Sequence, residues 1–174
     1  MTPPFVAALG PAFDALPGPI RALHGASVRR FWRGRVTVTG ARGPVAWAMA
    51  LAGISPRPMT DAPFSIEIAP DRGGEIWRRD FDGVRAVSHV RAKDGRLLER
   101  TGSITYGLHP EAGAAGLRLT SGRFSLAGLP LPRRLVPSGR VALGADGERY
   151  LFDVAAISPA GRVALRYEGW LLPA

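Results

Sequence analysis

From Phe64 onward the chain is cut at short intervals by residues that a tight reversal favours and a strand interior does not. The cuts are Asp71-Arg72-Gly73-Gly74, Asp82-Gly83, Lys93-Asp94-Gly95, His109-Pro110-Glu111-Ala112-Gly113, Asp146-Gly147 and Pro159-Ala160-Gly161. Two-residue hairpin turns need positive φ, which Gly and Asp adopt at least cost. Between the cuts the apolar residues alternate, as in Phe64, Ile66 and Ile68 against Ser65 and Glu67, the period of a strand with one face on a core. Hairpin after hairpin gives an antiparallel meander, and a sheet of about nine such strands twists until it curls. The expected fold class is therefore α+β: a strongly curved antiparallel sheet or incomplete barrel, with short N-terminal helices and one apolar helix packed on the concave face.

The helices are read from the first third of the chain. Pro3, Pro4, Gly10, Pro11, Pro17, Gly18, Pro19 and Gly25 divide residues 1–26 into pieces of one or two helical turns, with Pro where a first turn tolerates it. These pieces form a lid segment. Residues 27–174 carry the sheet together with a helix over 44–54, apolar on all sides, with Trp47 in its anchoring stripe. A chain of 174 residues is one domain and buries roughly 70% of its unfolded surface. Within the sheet, residues 28–39 alternate Val28, Arg30, Trp32, Val36 and Val38 against a wet face of Arg29, Phe31, Arg33 and Arg35. Residues 96–106 read as one strand, and 109–113 as a turn. Pro130, Pro132 and Pro137 exclude 129–137 from a central strand and favour an extended crossing segment.

The net charge of +9 is spread along the chain as single arginines and pairs, with Lys93 the only lysine. A dispersed solvated surface is the first reading of this excess. Peripheral contact with an anionic membrane or lipid head group is the second. Nucleic acid is the weakest, since no arginine stripe interleaves with aromatics. Absence of cysteine excludes disulfides and thiolate metal sites. There is no basic n-region before an apolar run, and the longest apolar run is about half a membrane span, so a soluble, cytoplasmic protein is expected.

The most unusual strand is Glu75-Ile76-Trp77-Arg78-Arg79-Asp80-Phe81, which puts Trp77, Arg79 and Phe81 on one face. A guanidinium on a core-facing surface demands a partner. Glu99 is the nearest candidate, with Glu67 and Glu168 as alternatives. The pair has two readings, an ion pair that fixes register or an Arg79 that meets the acidic end of an apolar ligand. His24 falls at a helix end, where the dipole favours a cation. His89 and His109 lack metal-ligand spacing to one another or to an acid, and Ser88 and His89 face opposite sides of a strand. G-x-S-x-G, P-loop and H-E-x-x-H motifs are absent from the sequence. No metal or cofactor is implied. Pocket candidates are Trp77, Arg79, Phe81, Glu99, Tyr167, His24 and Trp47.

Five landmarks in order, Leu23-His24-Gly25, the tryptophan–arginine–phenylalanine strand, Leu98-Glu99-Arg100-Thr101-Gly102, the proline segment over 129–137 and Tyr167-Glu168-Gly169-Trp170-Leu171, resemble a bacterial family of domains of unknown function, DUF4166. The resemblance spans nearly the whole chain. In that family the domain stands alone or is fused to other modules, including saccharopine-dehydrogenase-like ones. It implies no reaction, but it places Trp77, Arg79, Phe81, Glu99, Tyr167 and Trp170 in one framework. The function expected first is a non-enzymatic binding module that holds a small apolar or amphipathic, lipid-like molecule in the concave face. The alternatives are an accessory domain that docks a partner protein, and an enzyme with a pocket around Arg79, Glu99, His24 and Tyr167.

Overall fold

The hairpins do not stop at a curved sheet; they close into a ring. A computed structural model describes residues 2–40, 57–132, 134 and 136–174. Its strands are β1 (Arg30–Gly40), β2 (Met59–Asp71), β3 (Gly74–Phe81), β4 (Val84–Lys93), β5 (Arg96–Thr101), β6 (Ile104–Gly113), β7 (Gly116–Leu126), β8 (Leu129–Pro130), β9 (Ser138–Asp146), β10 (Arg149–Ile157) and β11 (Val163–Pro173). All pairings are antiparallel, in the order β6-β5-β4-β3-β2-β1-β11-β10-β9-β7, and β7 also pairs with β6. Ten strands thus make a closed barrel, with the two-residue β8 added beside β7.

Closure corrects the incomplete barrel of about nine strands. The undercount came from one turn. Residues 96–106 are split at Gly102-Ser103, where Thr101 pairs with Ile104 across a two-residue loop, and Gly102 takes φ 55°. Residues 109–113 then continue β6 rather than reversing it. The fold is mostly β, and the physical reason for closure is that a ring leaves no strand edge unpaired. Its seam joins β1 to β11, with Gly34 opposite Leu171 and Val36 opposite Gly169. A Cβ on Gly34 would overlap the Trp170 carbonyl oxygen, and one on Gly169 the Arg35 carbonyl oxygen, so the strands approach this closely only because both residues are glycine. The helix expected over 44–54, Trp47 included, lies outside the described residues.

Other turns behave as their chemistry dictates. Asp82 and Gly83 have φ of 49° and 88°, and Asp94 and Gly95 have 50° and 68°, the left-handed pairs whose twist matches the flanking strands. Among the described residues of the proline segment, Leu129 and Pro130 pair beside β7 as β8, outside the ring of ten, and the Leu131 N–H donates to the Phe124 carbonyl at 2.9 Å. Val28, placed on the core face by alternation, is 65% exposed, because β1 begins only at Arg30.

The helical elements described are α1 (Pro4–Leu9), a 3-10 turn (Gly10–Ala15) and α2 (Gly18–His24). Helix α1 packs on β4, β5 and β6, while α2 packs on β9 and β10. Together they plug one end of the barrel, burying Phe5, Phe13, Leu16, Ile20 and Leu23. Arg30 locks the plug in place. Its guanidinium donates to the Leu23 carbonyl, to the Val28 carbonyl at 2.8 Å and to the Glu75 carboxylate. Glu75 also accepts from Trp77 Nε1 at 2.9 Å. The last carbonyls of a helix lack intrahelical partners, and here Arg30 supplies one. That corrects the cationic role expected of His24, which is buried. Among the described residues no helix is long and apolar enough to cross a membrane.

Candidate functional site

A ring of ten strands is wider than the eight-stranded barrels whose side chains can fill the interior. Here the inward residues leave a cavity of about 340 Å³. It runs from the plug, at Phe5, Leu23 and His24, to the opposite rim, at Ile104, Phe124, Leu131, Val136 and Pro137. Most of its wall is apolar, with Ile66, Val90, Leu97 and Leu143 among the lining side chains. The volume falls near the lower end of ordinary small-molecule pockets.

The polar groups are few and most lie in one patch. Arg79 Nη2 meets Glu99 Oε1 at 3.0 Å and Arg79 Nη1 donates to Ser88 Oγ at 3.1 Å. The guanidinium reaches across β4 to do so, since Trp77 pairs with Ser88 and Val90 with Glu99. It also lies 4.9 Å from the Trp77 ring centroid, close enough for a cation–π contact. The expected partner, Glu99, is thus the actual one. Glu67 and Glu168 serve the outer wall instead, Glu67 with Arg29 and Arg78 at 2.8 Å each and Glu168 with Arg166 at 2.7 Å.

His24 Nε2 shares a hydrogen bond of 3.0 Å with the Tyr150 hydroxyl. Its ring stacks on Phe5 at 4.0 Å and on Trp77 at 5.3 Å. Burial first, then the positive charges of Arg30 and Arg79, push its pKa down to about 3, so it is neutral near pH 7. Loss of solvent, joined by the Glu99 charge, holds the Tyr106 hydroxyl well above its usual range. Tyr150 and Tyr167 are raised as well, burial being the largest cause for each. For Arg79, burial works against the charge, but Glu99 and the neighbouring tyrosines outweigh it and raise the pKa. Among the described residues, the site thus sets the paired Arg79 and Glu99 beside a neutral His24, so neither His24 nor Glu99 stands as a free base of the sort acid–base catalysis uses.

His24, Trp77, Arg79, Glu99 and Tyr167 all line the cavity. Phe81 does not; it packs 4.7 Å from Phe64 and 5.6 Å from Tyr167 by ring centroids. Trp47 is outside the described residues. Trp170 leaves the expected framework too, because it alternates out of phase with Tyr167 and instead carries Arg149 over its ring at 4.8 Å. Sequence reasoning missed Tyr106 and Tyr150. Tyr106 is paired with Glu99 across the β5–β6 hairpin, a relation visible only once Gly102-Ser103 is recognised as the turn.

The sequence profile of a family described as a domain of unknown function, DUF4166, matches residues 16–171, from the end of the 3-10 turn to the last strand. The chain belongs to the DUF4166 family. This DUF4166 match takes in every polar cavity residue from His24 to Tyr167. No curated protein matches the sequence. Among solved structures, Rv2717c from M. tuberculosis is similar to this DUF4166 chain at 13% identity and a TM-score of 0.48, covering 91% of this chain and 99% of that one.

Proposed function

We propose that this DUF4166 chain is a binding protein that holds one small amphipathic, lipid-like molecule inside its barrel. The observation that carries the reading is the cavity itself, about 340 Å³ of mostly apolar-walled space at the centre of a closed ring. A well-packed domain leaves few voids larger than a water molecule, and apolar space of this size favours an apolar occupant over water. Docking of a partner protein has no comparable support, since such a surface requires no hollow interior. The enzyme reading gains convergence, with Arg79, Glu99, His24 and Tyr167 around one cavity. It loses chemistry, because His24 is a very weak base and Glu99 is occupied by Arg79.

The test is native mass spectrometry on protein purified under gentle conditions, together with titration by N-phenyl-1-naphthylamine, which fluoresces in apolar surroundings. One small-molecule adduct per chain and saturable one-to-one probe binding are expected. A protein that carries no adduct and leaves the probe dark has no ligand-binding interior, and the reading fails.

A further inference from the structure

The polar groups of the cavity cancel one another, and this decides which head group the barrel accepts. Arg79 and Glu99 are the ionised pair in its wall, 3.0 Å apart, and both side chains are largely buried, at 14% and 8% exposed. A carboxylate or phosphate on the remaining donors of Arg79 would put two buried anions, Glu99 and itself, against a single cation. An ammonium beside Glu99 would put two cations against one carboxylate in the same way. A buried charge without its own counter-charge is costly, and an apolar wall offers nothing to compensate it.

An uncharged polar group faces no such conflict. A guanidinium has five N–H donors, and Ser88 and Glu99 account for two of the contacts seen here. Protonated tyrosine hydroxyls at Tyr106 and Tyr167 both donate and accept. A hydroxyl or carbonyl can therefore join the network while the ion pair stays intact. We infer that the barrel selects an uncharged amphiphile, a medium-chain alcohol or its ester or amide, rather than a fatty acid or an alkylamine. This rests on the reading that the cavity holds an apolar ligand. It departs from the second of the two sequence readings of Arg79, in which that residue meets the acidic end of an apolar ligand.

The experiment displaces N-phenyl-1-naphthylamine with 1-decanol, decanoate and decylamine at pH 7.5, where the last two are charged. In the natural protein decanol binds at least tenfold more tightly than either. Any apolar cavity disfavours a charged head, so the deciding arm is Glu99→Gln, which leaves Arg79 without its counter-charge. In that variant decanoate gains at least tenfold and decylamine does not. A second variant, Tyr167→Phe, keeps the ion pair and weakens decanol several-fold while leaving decanoate unchanged. Decanoate binding as well as decanol in the natural protein overturns the inference. So does a Glu99→Gln protein with unaltered decanoate affinity, or, should that variant not fold, a Tyr167→Phe protein with unaltered decanol affinity. In those cases probe binding still stands and the barrel reading survives; a protein that never binds the probe refutes both.

Discussion

Acidification tests the burial of His24 with a slope that can be worked out beforehand. In the unfolded chain the imidazole takes a proton near pH 6.5, whereas in the barrel it does so only at about 3. Between those values the unfolded state binds one more proton than the folded state, so stability is complete above pH 6.5 and is lost as pH falls toward 3. The loss approaches about 1.4 kcal/mol per pH unit. From pH 7.5 to 4.5 it sums to about 2.7 kcal/mol, or roughly 5 to 11 °C in Tm for a chain of this size. Urea denaturation at intervals of pH, on the natural protein and on His24→Phe, isolates the contribution. The phenylalanine can keep the stack with Phe5 and Trp77 but loses the Tyr150 hydrogen bond, so it is less stable at pH 7.5. Its deficit should shrink by about 2.7 kcal/mol on the way to pH 4.5, because His89, His109 and the carboxylates are common to both proteins. Parallel profiles would show that His24 is not held neutral against Arg30 and Arg79, and the account of the plug would be wrong.

Four other substitutions are expected to have distinct outcomes. Arg30→Met leaves Glu75 buried and uncompensated and uncaps α2, so it should cost about 3–5 kcal/mol in chemical denaturation. Arg166→Ala, on the outer wall, should leave the midpoint unchanged, and equal effects from the two would contradict the anchoring role of Arg30. Gly34→Ala forces the β1–β11 seam apart at Trp170 and should cost roughly 1–3 kcal/mol or more, with faster amide exchange at Leu171; retained protection there would mean that the seam tolerates a side chain. Phe5→Ala removes a buried ring at the cavity floor and should lower stability by about 3–5 kcal/mol while speeding N-phenyl-1-naphthylamine entry, and an unchanged entry rate would mean that the probe enters only from the opposite rim.

Local chemistry was legible in the sequence, while ring closure was not. The Asp-Gly turns at 82–83 and 94–95 sit where the sequence puts them, and the cost of a lone buried charge asks for an acid beside Arg79, with Glu99 the nearest of three that alternation allows and the one the barrel uses. The seam could not be read, because nothing local in β1 says that its second neighbour is β11. Gly34 and Gly169 look like ordinary strand weaknesses until each is seen beneath the other strand's carbonyl. His24 was misassigned for a related reason. Its position at the end of α2 favours a cation, but the plug buries it, and desolvation outweighs the dipole. Arg30 took over the capping from seven residues away.

The seam also sets the order of events during synthesis. Strand β1 can find β2 as soon as a hairpin's length of chain is available, but its other edge has no partner until β11 has been made. While the strands between them are synthesised, the open edge of β1 is therefore exposed to other chains. Along β1 the outward Arg33 and Arg35 alternate with the inward, apolar Trp32, Val36 and Val38. Those arginines repel a second copy of the same strand at the stage when the barrel cannot yet protect itself, a safeguard that a finished molecule no longer needs.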